Sequence, residues 1–381
     1  MSASRSPRTL DERGAALVLV ALSLVVLIAA AALAVDVGLL TTARTEAQRT
    51  ADMAAHAGAS ALILSPYSEA AARSEAIAFA TQNSVRGSAP REVDLDVEVI
   101  LDESKVRVTM NRTIASGSPI STFFARVLGV DRVNVRARAA AIARPAGAVG
   151  CLLPVAVADR WYEADGTRAD ENDTWDPDEG DYYGDGQMGY GLGDLGTLIT
   201  LKPSQGATHG NDGTGEGDEF ADSNRFESGW WYLWYPTGGG GAKTLREQVI
   251  RCPEPPTAWA VDDWVTDKNG NVQSIAKAFN DLIALDPNAT WDPSCRCVVN
   301  SDYPVSPRPR PIPLFNPETY TKQGPDRNFQ ISDFMGLFIV PGPGGPPGQQ
   351  STYARIASFQ GELGGGGPTT GPLIRAVQIV K

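Results

Sequence analysis

Hydrophobic and polar positions divide this chain into three stretches of different character. From Gly14 to Val35 there are 22 residues without a charge. A helix rising about 1.5 Å per residue would cover roughly 33 Å over that length, enough to cross a hydrocarbon core of about 30 Å. The run Asp36 to Ala61 is polar, lacks proline and is rich in Ala, Thr, Arg and Gln, so the helix is expected to continue into water as a stalk. Two other readings compete with a membrane span. Ala29 to Ala34 offers the small residues of a signal-peptide cleavage site, but the apolar core is too long for one. A buried core helix needs only about 10 to 14 apolar residues. An uncleaved signal anchor is the expectation.

The second stretch changes period. Ser65-Pro66 reads as a helix N-cap with proline in the first turn, leading to a helix or kinked continuation that ends near Asn83. Val93, Leu95, Val97 and Val99 then alternate with acids, and Val106, Val108 and Met110 alternate with Lys105, Arg107 and Thr109. Period two on both sides of the turn Asp102-Glu103-Ser104 predicts a β-hairpin. A short helix from Pro119 to Leu128, presenting Phe123, Phe124 and Val127, and a third strand from Val133 to about Ala143 complete a small α/β module. Gly147 to Gly150 suits a boundary.

The third stretch consists of short apolar runs broken by Gly, Pro, Asp and Asn. Strands are expected at Cys151–Ala158, Thr197–Leu201, Phe334–Val340, Ala354–Gln360 and Leu373–Val380, with one helix from Val272 or Ser274 to Leu285. The fold class is therefore α+β: a transmembrane helix continuing into a stalk, a small α/β module, which the resemblance given below implies is pilin-like, and a β-rich C-terminal domain with long loops and disulfides. The divisions are residues 1–13 as a cytoplasmic tail, 14–35 as the anchor, 36–145 as stalk and antiparallel sheet, and 151–381 as an extracytoplasmic domain. Arg5, Arg8 and Arg13 before the span barely outweigh Arg44 and Arg49 after it. The cysteines and the Gly/Pro-rich loops on the C-terminal side add to that bias and place the N-terminus in the cytoplasm.

One motif combination is more specific. Arg13-Gly14, the apolar span, Val35-Asp36-Val37-Gly38, then Arg44, Gln48, Ala51-Asp52, Ala54-Ala55 and Ala57-Gly58-Ala59-Ser60-Ala61-Leu62 together resemble the N-terminal segment of Tad (tight adherence, Flp) pilus-assembly proteins of the TadE/TadG-like kind. The resemblance covers about 50 residues. It implies an envelope protein that works with pilus-assembly or pilin-like partners. Processed pilins of such systems carry Glu five residues after the cleavage-site Gly; Leu19 stands there after Gly14, so the resemblance does not carry prepilin processing over. The Asp-x-Ser-x-Ser string of a von Willebrand-like metal site, found in some larger relatives, is absent from the sequence.

Composition narrows the function classes. A net charge of −12 and a pI near 4.8 argue against nucleic acid, whose phosphates need clustered Lys and Arg. The two histidines, His56 and His209, lie far apart in sequence, which disfavours most His-dependent catalysis and most zinc enzymes. Four cysteines, Cys151, Cys252, Cys295 and Cys297, all follow the span and read as two disulfides. A bridge between Cys295 and Cys297, one residue apart, would be strained, so each is expected to pair with Cys151 or Cys252. A four-cysteine zinc site lacks paired Cys-x-x-Cys spacing.

Three further features bear on function. Between Asp159 and Asp222 there are 17 acidic residues against three basic ones. Asp173, Asp176, Asp178, Asp181 and Asp185 within that stretch offer oxygens for a structural calcium ion, although the spacing is not that of an EF-hand and a solvated acidic loop is the plainer reading. Phe226, Trp230, Trp231, Tyr232, Trp234 and Tyr235 form an aromatic run suited to sugar rings, to partner surfaces or to a core. In the stalk, Ala43, Ala47, Ala51, Ala54, Gly58 and Ala61 make a small-residue stripe. It would serve packing within an assembly, including self-association, or packing on the chain's own sheet. Gly191 to Gly196 matches a dinucleotide fingerprint without the preceding strand and reads as a loop. Tyr303 to Pro313 favours an extended path along a sheet edge.

The expected function is a structural or accessory component of a Tad-type pilus or adherence apparatus, minor-pilin-like and not an enzyme. The alternative is a membrane-tethered binding module for surface polysaccharide or protein, with calcium as an optional ligand of its acidic loop. A hydrolase ranks last for want of a nucleophile or metal motif.

Overall fold

The computed structural model describes residues 12–169, 173–184, 189–203, 226–227, 230–234, 242–252, 257–267, 273–323, 326–341, 352–361 and 373–380. Its fold is α+β. Helix α1, Glu12–Leu64, is one uninterrupted element. Its apolar first part, residues 16–35, is exposed at almost every position, and the helix is long and apolar enough to cross a membrane.

From Asp36 onward the same helix is amphipathic and lies on a sheet. Ser68 Oγ accepts the Ala71 N–H and starts helix α2, Glu69–Gln82, which buries Ala72, Ala76 and Ala80. The N-cap is thus Ser68 and not Ser65, because Pro66 is taken into the corner between the helices. The hairpin forms as expected: Leu95–Ile100 pairs antiparallel with Lys105–Arg112, and Ser104 turns the chain at φ 48°. Strict alternation in the second strand buries Val106, Val108 and Met110 beneath α1. Strand Val135–Pro145 pairs next to it and buries Val135, Ala137, Ala139, Ala141 and Ala143 on the same face.

The segment expected to be a helix from Pro119 to Leu128 is mostly not helical. Ile120–Ser121 pairs with Arg132–Val133, and only Ala125–Leu128 winds as a short 3-10 turn, closed by Gly129 at φ 83°. Burial of Ile120 and the Thr122 hydroxyl bonded to the Val130 carbonyl hold it as a folded-back loop.

The remaining strand of this first sheet comes from the far end of the sequence. Ile374–Val380 pairs antiparallel with Val135–Pro145 and parallel with Phe359–Gln360. The sheet therefore runs 95–100, 105–112, 135–145, 374–380, 359–360. The second, larger sheet links 326–340, 309–315, 155–158, 230–233, 198–203 and 352–357. Strand 326–340 pairs at once with 309–315 and 352–357, so those six strands close into a circuit. Helices α3, Ala242–Ile250, and α4, Gln273–Leu285, contribute Leu245, Val249, Phe279 and Leu282 to the core shared with Val155, Ile312, Leu314, Met335 and Leu337.

Strand 309–315 carries Pro309, Pro311 and Pro313, which a central strand does not ordinarily tolerate. All three fall in the same phase. The Pro311 carbonyl accepts from Leu153 N, whereas pairing with 155–158 begins only at Leu314. The missing donors thus lie on the side left without a ladder, and the proline run behaves as an edge.

Candidate functional site

The feature that links the apolar helix to the folded part is Asp36. It is the first charge after the uncharged run, yet only 2% exposed. Its Oδ1 accepts the backbone N–H of Phe123 at 2.8 Å, and its Oδ2 accepts those of Phe124 at 2.9 Å and Ala125 at 2.5 Å. These donors open the 3-10 turn and have no partner within it, so the carboxylate caps that turn from 87 residues away. The cap holds the loop 120–133 beside the point where α1 enters the protein. Ile120 is buried, but the apolar side chains at the tip do not fold inward: Phe123 is 69%, Val127 89% and Leu128 78% exposed.

Below Asp36 the small-residue stripe is used within the chain. Ala43, Ala47, Ala51 and Ala54 are fully buried against the sheet and its row of alanines. A Cβ at Gly58 would meet Val106 Cγ1 at 2.9 Å and the Ala72 carbonyl oxygen at 3.0 Å, so α1 lies directly against both α2 and the sheet here. Of the two readings of the stripe, the structure shows packing on the chain's own sheet. His56 is exposed and lines a cleft of about 680 Å³ between the stalk and the second sheet, with Met53, Phe79, Trp291, Val305 and Ile379.

The acidic loop organises itself. Asp176 and Asp181 are buried; the Asp176 N–H donates to Asp181 Oδ2 at 2.7 Å, and the Asp178 N–H to Asp176 Oδ1 at 3.0 Å. Asp173 is half-buried, Asp178 is exposed, and Asp185 lies outside the described residues. Among the described residues there is no group of three or more His, Cys, Asp or Glu side chains placed to hold a metal.

The nearby Asp159 is fully buried and accepts from Tyr183 Oη at 2.6 Å, Ser332 Oγ at 3.0 Å and Arg160 N at 2.9 Å. Burial pushes its carboxyl above the ordinary range despite those bonds. The Tyr183 hydroxyl is raised by burial and by that carboxylate.

In the aromatic run, strand Trp230–Leu233 pairs with 155–158; the side chains of Trp230 and Trp231 lie outside the described set. Trp234 belongs to the core, where its Nε1 donates to the Leu153 carbonyl at 3.0 Å and its ring meets Trp259 edge-on. Gly191–Gly196 is a turn, with Asp194 Oδ2 accepting the Gly191 N–H at 2.7 Å.

The disulfide pairing corrects the expectation. Cys151 bonds Cys252, and Cys295 bonds Cys297. The short bridge is possible because Arg296 adopts a left-handed conformation, φ 50°, which brings the flanking Cα atoms to 5.2 Å. The same turn throws the Arg296 guanidinium outward. It stacks 5.0 Å from the Tyr67 ring centroid and donates to the Leu192 carbonyl at 3.1 Å. Sequence reasoning missed this contact and the Asp36 cap. The lone charge after a long uncharged run was a visible signal for the cap; nothing in the sequence pointed to the partner of Arg296.

Comparison with known proteins falls on this same junction. Residues 14–61 match the model of the Tad family, "Putative Flp pilus-assembly TadE/G-like". The match covers α1 from within its first turn to just short of the corner at Ser65 and includes Asp36 and the small-residue stripe. No curated protein and no solved structure matches the chain. The N-terminal segment is thus similar to that of a pilus-associated family, and its apolar helix fits a membrane anchor.

Proposed function

We infer that the chain is a structural or accessory component of a Tad/Flp-type pilus-assembly or adherence apparatus, minor-pilin-like in organisation. In this reading the residues before α1 are cytoplasmic, α1 spans the bilayer, and both sheets stand outside the cytoplasm. The role is one of anchoring and display, with no catalytic step: the apolar half of α1 partitions into a membrane or helical bundle, and the second sheet meets pilus-assembly or pilin-like partners.

One observation carries this reading. The family match coincides with a single helix whose first half is bare and apolar and whose second half forms the spine of a small sheet. Any self-association through α1 falls to the exposed half, since the stripe Ala47, Ala51, Ala54 and Gly58 is occupied within the chain.

The test is intact mass and fractionation from the native envelope, with filaments sheared from the cells compared against the membrane pellet. Full-length protein in the pellet supports an uncleaved anchor at the base of the apparatus. A form lacking the residues up to Gly14 in sheared filaments makes it a filament subunit, and release into the medium after cleavage near Ala34 overturns the reading. The calcium-dependent polysaccharide module draws no supporting observation from the described residues. A calcium titration of thermal stability addresses it directly.

A further inference from the structure

We propose that the loop 120–133 is a second membrane contact, in which Phe123, Phe124, Val127, Leu128 and Val130 seat in the headgroup region of the bilayer that α1 crosses. The inference rests on the reading of α1 as a membrane span and adds a site to it.

Three observations on this face converge. The first is exposure: five large apolar side chains adjacent in sequence are between 39% and 89% exposed, although the loop around them is well ordered by bonds such as Val130 N to Ala125 O at 3.0 Å. Contiguous apolar exposure on an ordered loop marks a contact surface.

The second is level. Asp36 ends the 22-residue uncharged run, which fixes it at the boundary between hydrocarbon and headgroups. Its carboxylate holds the backbone of residues 123–125 within 2.9 Å, so the loop lies at that boundary. The patch is thereby continuous with the exposed apolar surface of the span, which at this height includes Leu33, Val35 and Val37.

The third is charge. Arg126 and Arg132 are exposed beside the apolar residues; the acids on this face are the exposed Asp131 and Asp36, whose carboxylate is buried in the cap. Aromatic and aliphatic side chains flanked by arginines are the composition of interfacial membrane segments, where apolar groups enter the acyl boundary and cations meet anionic headgroups.

A protein partner at this face would have to share the boundary with lipid, because the cap ties the loop by hydrogen bonds to the helix at that level. Two contacts with one bilayer would fix the tilt and rotation of the folded part relative to the membrane, which a single helix does not do.

The experiment uses the full chain in vesicles of phosphatidylethanolamine and phosphatidylglycerol, with a nitroxide placed in turn at V127C, V26C and V305C. Val26 reports the span and Val305, 61% exposed on the second sheet side, reports water. Collision with oxygen is compared with collision with a water-soluble nickel chelate. The expected result is an oxygen preference at Val127 several-fold above that at Val305 and below that at Val26, which weakens when phosphatidylglycerol is omitted. A Val127 label that matches Val305 while Val26 remains in hydrocarbon overturns the proposal alone. A Val127 label shielded from both reagents in proportion to protein density means a second copy covers the loop, and also overturns it. Water-like behaviour at both Val26 and Val127 instead refutes the span.

Discussion

The guanidinium of Arg296 stands 5.0 Å from the ring centroid of Tyr67, and both side chains reach the same acceptor, the Leu192 carbonyl, at 3.1 and 3.3 Å. Tyr67 sits in the corner between the two helices, Arg296 in a disulfide-closed turn beyond the second sheet. Cation–π pairs at such sites contribute about 0.5–1 kcal/mol, more when desolvated. Tyr67→Ala and Arg296→Ala are each expected to lower thermal stability by a small amount. A double-mutant cycle should return a coupling of that order. Strict additivity would mean the stacking has no energetic content.

The two disulfides should differ greatly in their contribution. Cys151–Cys252 closes a separation of 101 residues, Cys295–Cys297 one of two. On chain-entropy grounds the long loop is worth about 4–5 kcal/mol, and the short one far less. Cys252→Ser is expected to destabilise strongly, and Cys297→Ser mildly. Peptide mapping of the non-reduced protein checks the pairing itself: any peptide joining Cys295 or Cys297 to Cys151 or Cys252 contradicts it.

Gly58 packs with no room for a side chain. Gly58→Val places carbon where Val106 and the Ala72 carbonyl already stand, and overpacking of this kind costs about 1–3 kcal/mol. Loss of near-ultraviolet ellipticity with retained helix signal is the expected signature. Wild-type stability in Gly58→Val would mean that α2 can move away freely.

Asp36→Ala removes the acceptor for three backbone donors, each of which costs about 1–3 kcal/mol if left buried and unpaired. Relaxation of the loop should absorb part of that. Faster amide exchange at residues 123–125, with the hairpin 95–112 unaffected, is the outcome that matches a local cap.

Two buried carboxylates pull stability in opposite directions with pH. Burial raises Asp94, but hydrogen bonds from Ser118, Arg91 and Ser116 outweigh it and leave the group below its ordinary value of 3.8. Its stabilisation is therefore present above that value and is lost as pH falls through the folded-state value. Asp159 is raised by burial, so its contribution is complete below 3.8 and is lost as pH rises through the folded-state value. Melting temperatures across the acid range should show a shallower low-pH decline in Asp94→Asn than in wild type. In Asp159→Asn the loss on the rising side should disappear. Identical pH profiles in all three proteins would contradict both assignments.

The sequence was legible where one periodicity governed. The uncharged run, the hairpin alternation and the helix ending at Leu285 all appear as read, because each depends on local spacing. Contacts across long separations were not legible. Nothing in ISTFFARVLG announces that its N–H groups will be capped by Asp36, and helical spacing alone suggested a helix there. The short disulfide was misjudged because a left-handed Arg296 is invisible in composition. The aromatic run offered binding and core, with core the favoured reading, and for Trp234 the bond to the Leu153 carbonyl settles it as core.

The strand Ile374–Val380 has a consequence for biogenesis. It lies between Val135–Pro145 and Phe359–Gln360, so the sheet that carries the membrane helix is incomplete until residues nearly 240 positions further along have been delivered to the same side of the bilayer. In the orientation proposed above, the early half must wait during export, its alanine-lined face covered by α1 while one edge stays open. Assembly competence would then be conferred by completion of translocation, so that a chain interrupted before residue 374 is held back at the membrane as an unfinished sheet instead of passing on to the apparatus.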